Sequence, residues 1–182
     1  NPNPGNHSYK FIHRTSTTSA FAFTEDGVRA RTNATGKWQI DRKLVSKGLK
    51  INDMDFPGTL IGYMAVAGDS LRKTTDGGET WVGHGNAKDL KEIHFTSDQI
   101  GFARSKDNAP VGTTTQYFTT TNGGNTWVQQ STGNGNIDYV FTHRTGSELW
   151  GVKEFEQGQG SDDYSDLYKS TNNGASWTAV DV

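Results

Sequence analysis

The chain has 182 residues, of which only 31% are hydrophobic and 22 are glycine, a palette of short strands and tight turns that argues against a helical bundle. It has no cysteine, which excludes disulfides and thiolate metal sites, and its longest apolar stretches, such as 60–67, are too short to span a bilayer as a helix. The net charge of −2 gives no general pull towards nucleic acid, yet residues 1–50 hold nine Lys/Arg against three Asp/Glu while 51–182 hold nine against seventeen. That asymmetry either helps repeats or subunits meet or is chance variation on a solvated surface. The opening Asn-Pro-Asn-Pro-Gly lacks the charged and apolar regions of a leader. Either the protein is cytoplasmic or this is a mature or trimmed form, and a secreted, periplasmic or cell-surface setting is the expectation carried forward.

Alternation and turn signals predict four strands in each of four successive repeats, about 8–43, 49–85, 90–131 and 136–182. The first reads as 9–15, 20–24, 28–32 and 37–41, and the second as 51–56, 61–67, 71–75 and 80–83. The third reads as 91–95, 100–105, 116–121 and 126–130. The fourth reads as 137–142, 148–155, 167–171 and 176–180.

One motif closes each repeat. Thr74-Thr-Asp-Gly-Gly-Glu-Thr-Trp81, Thr120-Thr-Asn-Gly-Gly-Asn-Thr-Trp127 and Ser170-Thr-Asn-Asn-Gly-Ala-Ser-Trp177 align without gaps, and Arg31-Thr-Asn-Ala-Thr-Gly-Lys-Trp38 is a weaker copy. Asn33, Asp76, Asn122 and Asn172 stand five residues before Trp38, Trp81, Trp127 and Trp177. Gly78, Gly124 and Gly174 stand three before their tryptophans. The Asp or Asn is expected to bond backbone N–H groups two or three residues on, the Gly to take φ > 0, and the Trp to open the last strand with its ring under the turn. A small residue before an aromatic forms a second recurring feature, in Ala20-Phe21, Gly62-Tyr63 and Gly101-Phe102, with Leu149-Trp150 as a variant. Four strands at this period predict an all-β, β-propeller-type fold of four blades, as a closed small ring or as part of a larger ring by dimerisation or truncation.

The Trp-terminated motif resembles the Asp box, or bacterial neuraminidase repeat, of sialidases, sortilin-type receptors, xyloglucanase-type glycosidases and photosystem II assembly-factor-like proteins. The resemblance to the last group, with sortilin-like repeats beside it, rests on Ile51–Phe56, Gly62–Val66 and Leu71–Trp81, and again on Lys91–Phe95, Gly101–Ala103 and Thr119–Trp127. It implies a propeller whose Asp boxes lie away from the binding side. A sialidase would need an early Phe/Tyr-Arg-Ile-Pro motif, and Phe11-Ile-His-Arg14 is not one.

Outside the motif, Asp53, Glu92 and Asp138 each precede a Phe by three residues, at Phe56, Phe95 and Phe141. On innermost strands they would ring one channel mouth, as an acid–base pair of a glycosidase, as cation ligands, or as repeat positions bonded to neighbouring N–H groups. His13, His94 and His143 also fall on innermost strands, but repeat-related positions splay around a ring, which is unfavourable for a zinc site. Long connections at 107–115 and 157–166 place two loops on the face opposite the motif turns. The second carries Asp162, Asp163, Tyr164 and Asp166, candidates for recognition or for Ca²⁺. Seven arginines are available, several read as ordinary surface residues at strand ends. The sequence therefore predicts a non-catalytic binding or assembly scaffold that recognises a protein or glycan through one face, with a homodimer possible. The second reading is a carbohydrate-active enzyme of glycoside hydrolase type, or a module of one. No catalytic residue and no cofactor other than Ca²⁺ is assigned.

Overall fold

The computed structural model describes residues 8–32, 35–44, 50–105, 116–130, 139–141, 148–155, 164–172 and 176–180. Among these, every regular element is a strand, and each run of four strands forms an antiparallel meander. The first sheet holds β1 (Tyr9–Arg14), β2 (Ala20–Thr24), β3 (Val28–Thr32) and β4 (Trp38–Leu44). The second holds β5 (Ile51–Asp55), β6 (Gly62–Val66), β7 (Ser70–Thr74) and β8 (Val82–Lys88). The third holds β9 (Leu90–Phe95), β10 (Gly101–Ser105), β11 (Tyr117–Thr120) and β12 (Val128–Gln130). The fourth holds β13 (Tyr139–Phe141), β14 (Leu149–Phe155), β15 (Tyr164–Ser170) and β16 (Thr178–Ala179). In a meander of this kind, the first hairpin and the motif turn lie at one end of each sheet. The second-to-third connection and the link to the next sheet lie at the other.

Three strands depart most from the expected bounds, and the first of them, β4, runs to Leu44 instead of residue 41. β8 runs to Lys88 instead of stopping near residue 83, because Gly85 (φ 68°) bulges the strand between the Arg72–Gly83 and Ser70–Lys88 pairs and lets pairing resume. β15 begins at Tyr164, since Phe155–Tyr164, Glu154–Ser165 and Lys153–Asp166 pair with β14. Tyr164 and Asp166 are thus strand residues, not loop residues. Ser, Asp and Gly composition suggested a turn there, but a long partner strand overrode it.

The motif turn is a small hydrogen-bonded cage. Thr80 N–H donates to Asp76 Oδ1 (2.9 Å), Thr126 N–H to Asn122 Oδ1 (3.0 Å) and Ser176 N–H to Asn172 Oδ1 (2.9 Å). These bonds span four residues, one more than expected; the strand-ending hydroxyl takes the donor two residues on, and Asp76 also accepts from Glu79 N–H three residues on. Thr74 Oγ1 accepts from Gly78 N–H and Thr120 Oγ1 from Gly124 N–H, both at 2.9 Å. Gly124 has φ 81°, and a Cβ there would also come within 2.8 Å of Leu71 Cδ2. Trp81 Nε1 donates to Gly78 O (3.2 Å), holding the ring beneath the turn. Trp81, Trp127 and Trp177 stand immediately before their strands, and Trp38 is the first residue of β4. Asn33 and Gly174 lie outside the described residues.

Burial pulls the Asp76 carboxyl up, but the Thr80 hydroxyl and N–H, the Thr74 hydroxyl and the Glu79 N–H together outweigh it and bring it down to about 2.

The sheets meet through three buried clusters. Phe21 and Phe23 of the first sheet pack on Phe56 and Met64 of the second. Tyr63 and Leu71 of the second pack on Ile93 and Phe95 of the third. Phe102 and Tyr117 of the third pack on Leu149 and Tyr168 of the fourth. Each cluster takes the Trp of its later sheet edge-on to a phenylalanine: Trp81 on Phe56 (5.7 Å), Trp127 on Phe95 (5.8 Å), Trp177 on Phe102 (6.2 Å).

The Gly-aromatic pairs have the same origin. Gly101 pairs with Phe95, and a Cβ at Gly101 would fall 2.6 Å from that ring. Gly62 stands in the same relation to Phe56, at 2.3 Å. Where the inner strand ends in Arg14 instead, its partner is Ala20.

Buried arginines add polar ties. Arg29, only 2% exposed, donates to Gly78 O (2.7 Å) and Glu79 O (3.1 Å), pairs with the Glu79 carboxylate, and lies over the Phe21 ring. Arg72 and Arg104 are equally buried, against Asp69 and Glu92. These three are thus not among the surface arginines, whereas Arg31 is half exposed. Among the described residues no buried cluster joins the fourth sheet to the first, and the sheets are not closed into a ring.

Trp127→Ala is expected to cost about 3–5 kcal/mol, the usual loss for a large buried aromatic, and Gly124→Val to destabilise by forcing a β-branched residue to positive φ. Denaturant melts that place both within about 0.5 kcal/mol of the parent would contradict this packing. Asp76 has a lowered folded value, so its contribution is present above the unfolded value near 4 and is lost as pH falls through about 2. Asp76→Asn keeps the acceptor used at Asn122 and Asn172. It should leave the melt near the parent's at neutral pH and flatten the loss between pH 4 and 2.

Candidate functional site: a cleft along the inner strands

β1, β5 and β9 begin at the same end of their sheets and line a cleft of about 760 Å³. Strand alternation puts two kinds of side chain into it. Phe11, Met54, Ile93 and Phe102 supply apolar wall, while Lys10, Lys50 and Lys91 supply cationic groups. Asp53, Asp55, Glu92 and His94 complete the lining. The cleft begins at the end that bears the second-to-third connections, the same end as the expected long loops, whose residues 106–115 and 156–163 lie outside the described ones.

The carboxylates are committed to neighbouring strands. Asp53 Oδ2 accepts from Ile93 N–H (2.9 Å) and its Oδ1 from Met54 N–H (2.8 Å). Asp55 Oδ2 accepts from Phe95 N–H (2.6 Å), with His94 Nδ1 3.4 Å away. Asn52 Nδ2 donates to Leu90 O (2.8 Å). Asn52, Asp53 and Asp55 thus lace β5 to β9, the inner strand of the next sheet. Glu92 pairs instead with buried Arg104 on β10, at 3.1 Å. Of the three cationic side chains, Lys10 and Lys50 both bind Glu25, at 2.6 and 3.3 Å.

Burial is the main force on Asp53 and pushes its carboxyl up to about 6, with the Asp55 and Glu92 charges adding to the rise and the two N–H donors opposing it.

The proposed carboxylate ring is not one set of equivalent positions. Asp53 pairs with Ala65 and Glu92 with Arg104, and the corresponding residue opposite Val152 is Tyr139. Phe141 pairs with Trp150, as His94 pairs with Phe102. The sequence alignment on Phe141 was therefore one residue out, and Asp138 itself lies outside the described residues. A one-residue slip reverses the face to which a strand side chain points, which counting from a phenylalanine does not detect.

The histidines also separate. His13 stacks on Phe56 at 3.6 Å, and His94 lies beside Asp55. His84, on an outer strand, reaches Gly123 O from β8 at 2.7 Å. Among the described residues no group of three or more His, Cys, Asp or Glu is placed to hold a metal ion. Asp162 and Asp163 of the Ca²⁺ expectation lie outside the described residues, and Asp166 is exposed on β15.

No family model and no curated protein sequence matches the chain. Solved structures do. A GH74 enzyme of Niastella koreensis matches with a TM-score of 0.64 at 17% identity, over 91% of this chain and 28% of that one. YCF48 bound to D1 peptide matches with a TM-score of 0.64 at 13% identity, over 97% of this chain and 56% of that one. YCF48 from Cyanidioschyzon merolae gives 0.61 at 12%, over 98% and 57%. The chain thus spans little more than half the length of the YCF48 structures and under a third of the GH74 enzyme.

Asp53 has a raised folded value, so stability falls as pH rises from the unfolded value near 4 through about 6. Urea midpoints measured from pH 4.5 to 7 should decline across that window in the parent and lose the decline in Asp53→Asn. An identical slope in both proteins would show that Asp53 does not carry it. At such low identity these likenesses show the fold, and the chain is similar in architecture to β-propeller proteins.

Proposed function

We propose that this chain is a non-catalytic binding scaffold of Asp-box propeller type, which recognises a protein segment in the inner-strand cleft. The observation that carries this reading is the cleft itself. It combines apolar wall with a rim of lysines and carboxylates, and its carboxylates are already bonded, Asp53 and Asp55 to backbone N–H groups and Glu92 to Arg104. Such a lining suits an extended chain that presents alternating apolar and charged side chains. A structural neighbour, YCF48, has been solved with a D1 peptide bound, which supports a protein ligand for this architecture. The two connections at the cleft end, with Asp162, Asp163 and Tyr164, form the outer part of the proposed recognition face, in a secreted, periplasmic or cell-surface setting. Ca²⁺ held by Asp162, Asp163 and Asp166 is a subsidiary part of the proposal.

The second reading, a glycoside hydrolase or a module of one, is favoured by Asp53, whose carboxyl is raised to about 6 beside Glu92, and by the GH74 neighbour. Its two oxygens are already engaged by Met54 and Ile93, which speaks for the scaffold.

The test is partner capture from the native source with Lys10→Glu/Lys91→Glu and with Asp162→Asn/Asp163→Asn/Tyr164→Ala. Both variants should keep the parental melt within about 0.5 kcal/mol, as surface changes do, and lose capture at least about tenfold. Full capture in both, with loss instead on changing Gly77 or Asn173 at the motif-turn end, would put recognition on the opposite face. Turnover on a chromogenic glycoside panel that disappears in Glu92→Gln would replace the scaffold reading with the enzymatic one.

A further inference from the structure

The third motif turn carries Asn122-Gly123 where the second carries Asp76-Gly77. An asparagine followed by glycine is open to a spontaneous reaction, because the glycine nitrogen has no Cβ beside it to hinder attack. That nitrogen attacks the side-chain carbonyl carbon of the asparagine. The new N–C bond closes a succinimide ring, the bond to the side-chain nitrogen breaks, and ammonia leaves with the proton given up by the backbone nitrogen. Water then opens the ring. The product is aspartate, or isoaspartate, in which the main chain runs through the former side chain.

In the folded chain both reacting groups are held. Asn122 Oδ1 accepts from Thr126 N–H and from the Thr120 hydroxyl, both at 3.0 Å, and its Nδ2 donates to Thr126 Oγ1 (2.8 Å). Gly123 N–H donates to Gln99 O (2.7 Å), in the first hairpin of the same sheet. The second sheet closes the turn from its other side. His84 Nε2 lies 2.7 Å from Gly123 O, and a Cβ at Gly124 would come within 2.8 Å of Leu71 Cδ2. Ring closure needs the Asn122 amide to leave Thr126 and the Gly123 nitrogen to leave Gln99, so the turn has to open first.

The second motif turn shows how an acid sits in this cage. Asp76 Oδ1 accepts from Thr80 N–H (2.9 Å) and from the Thr74 hydroxyl (2.7 Å), and its Oδ2 accepts from the Thr80 hydroxyl (2.5 Å). Exchanging Asn122 Nδ2 for an oxygen therefore asks only that the Thr126 hydroxyl turn from acceptor to donor, which a hydroxyl does freely. Isoaspartate lengthens the main chain inside a turn whose spacing those bonds set, and fits none of them.

We propose that Asn122 is a deamidation site latched by the folded turn: it converts when the junction between the second and third sheets opens, and the aspartate product closes the same cage. The turn thereby keeps a covalent record of junction opening.

Peptide mapping of the whole chain, aged at mildly alkaline pH both folded and in concentrated guanidinium, tests this. Fragment ions separate Asn122 from the Asn-Gly pairs at 134–135 and 173–174, which lie outside the described residues. Conversion at Asn122 should be at least about tenfold slower in the folded chain, since only the opened fraction reacts. Thr126→Val removes the hydroxyl that holds the amide and should speed folded-state conversion at least about threefold, with the rate in guanidinium unchanged; Thr126→Ser should keep the parental rate. Asn122→Asp, the product in pure form, should melt with the parent at neutral pH and gain an acid-side loss of the kind Asp76 produces. Equal rates in the folded and unfolded chain overturn the proposal, as does an unfolded chain that does not convert. A Thr126→Val protein that converts no faster than the parent, or an Asn122→Asp protein that melts well below it at neutral pH, overturns it too.

Discussion

Face-to-face packing between successive sheets is the constraint on which the rest of this structure depends. A four-stranded meander has two faces and little interior of its own, so its apolar side chains stay wet until another sheet covers them. Phe23, Ile51, Tyr63 and Phe95 are fully buried because the neighbouring sheet covers them. The motif turn serves this packing. It fixes the approach of the last strand, and in doing so delivers one Trp edge-on to a phenylalanine at each junction. The cage of hydroxyl, carboxylate or amide, and glycine is local, but what it positions is not.

The polar groups follow the same rule. Arg29 leaves the first sheet to hold the backbone of the second sheet's motif turn, and Asp53 and Asp55 leave β5 to hold the backbone of β9. Charged groups placed at a buried junction are costly unless fully bonded, and each of these finds backbone partners across it. Of the carboxylates that resemble a catalytic pair in the sequence, Asp53 is thus a seam between sheets, while Glu92 pairs with Arg104 within its own.

The sequence makes the repeat legible because the motif is contiguous. Eight residues carry the cage, and the Trp spacing carries the sheet count. Gly62 and Gly101 were visible as a pattern, although their cause is a cross-strand ring that only the register reveals. The burial of Arg29, Arg72 and Arg104 was not legible, since each partner lies in a turn or strand whose nearness depends on the fold. The slip of one residue in aligning Phe141 has the same root. Strand-ending phenylalanines look alike in sequence, yet Phe95 pairs with a glycine and Phe141 with a tryptophan. Composition at 162–166 reads as loop, while pairing with β14 makes strand of 164–166.

Cleft and junctions are one object. The cleft draws its lining from three sheets, and the bonds that lace β5 to β9 run along its floor. A ligand lying across these inner strands touches side chains whose relative positions are set by the inter-sheet clusters. Its binding free energy therefore adds to the free energy that holds the sheets together, by linkage. The converse also holds, since any change that tilts one sheet against the next moves Lys10, Asp53 and Lys91 relative to one another. Recognition built in this way demands stiffness at the junctions. Stacked aromatics at 3.6 Å, buried arginines on backbone carbonyls and carboxylates on backbone N–H groups are the means by which sheets with no strand in common hold a single shape.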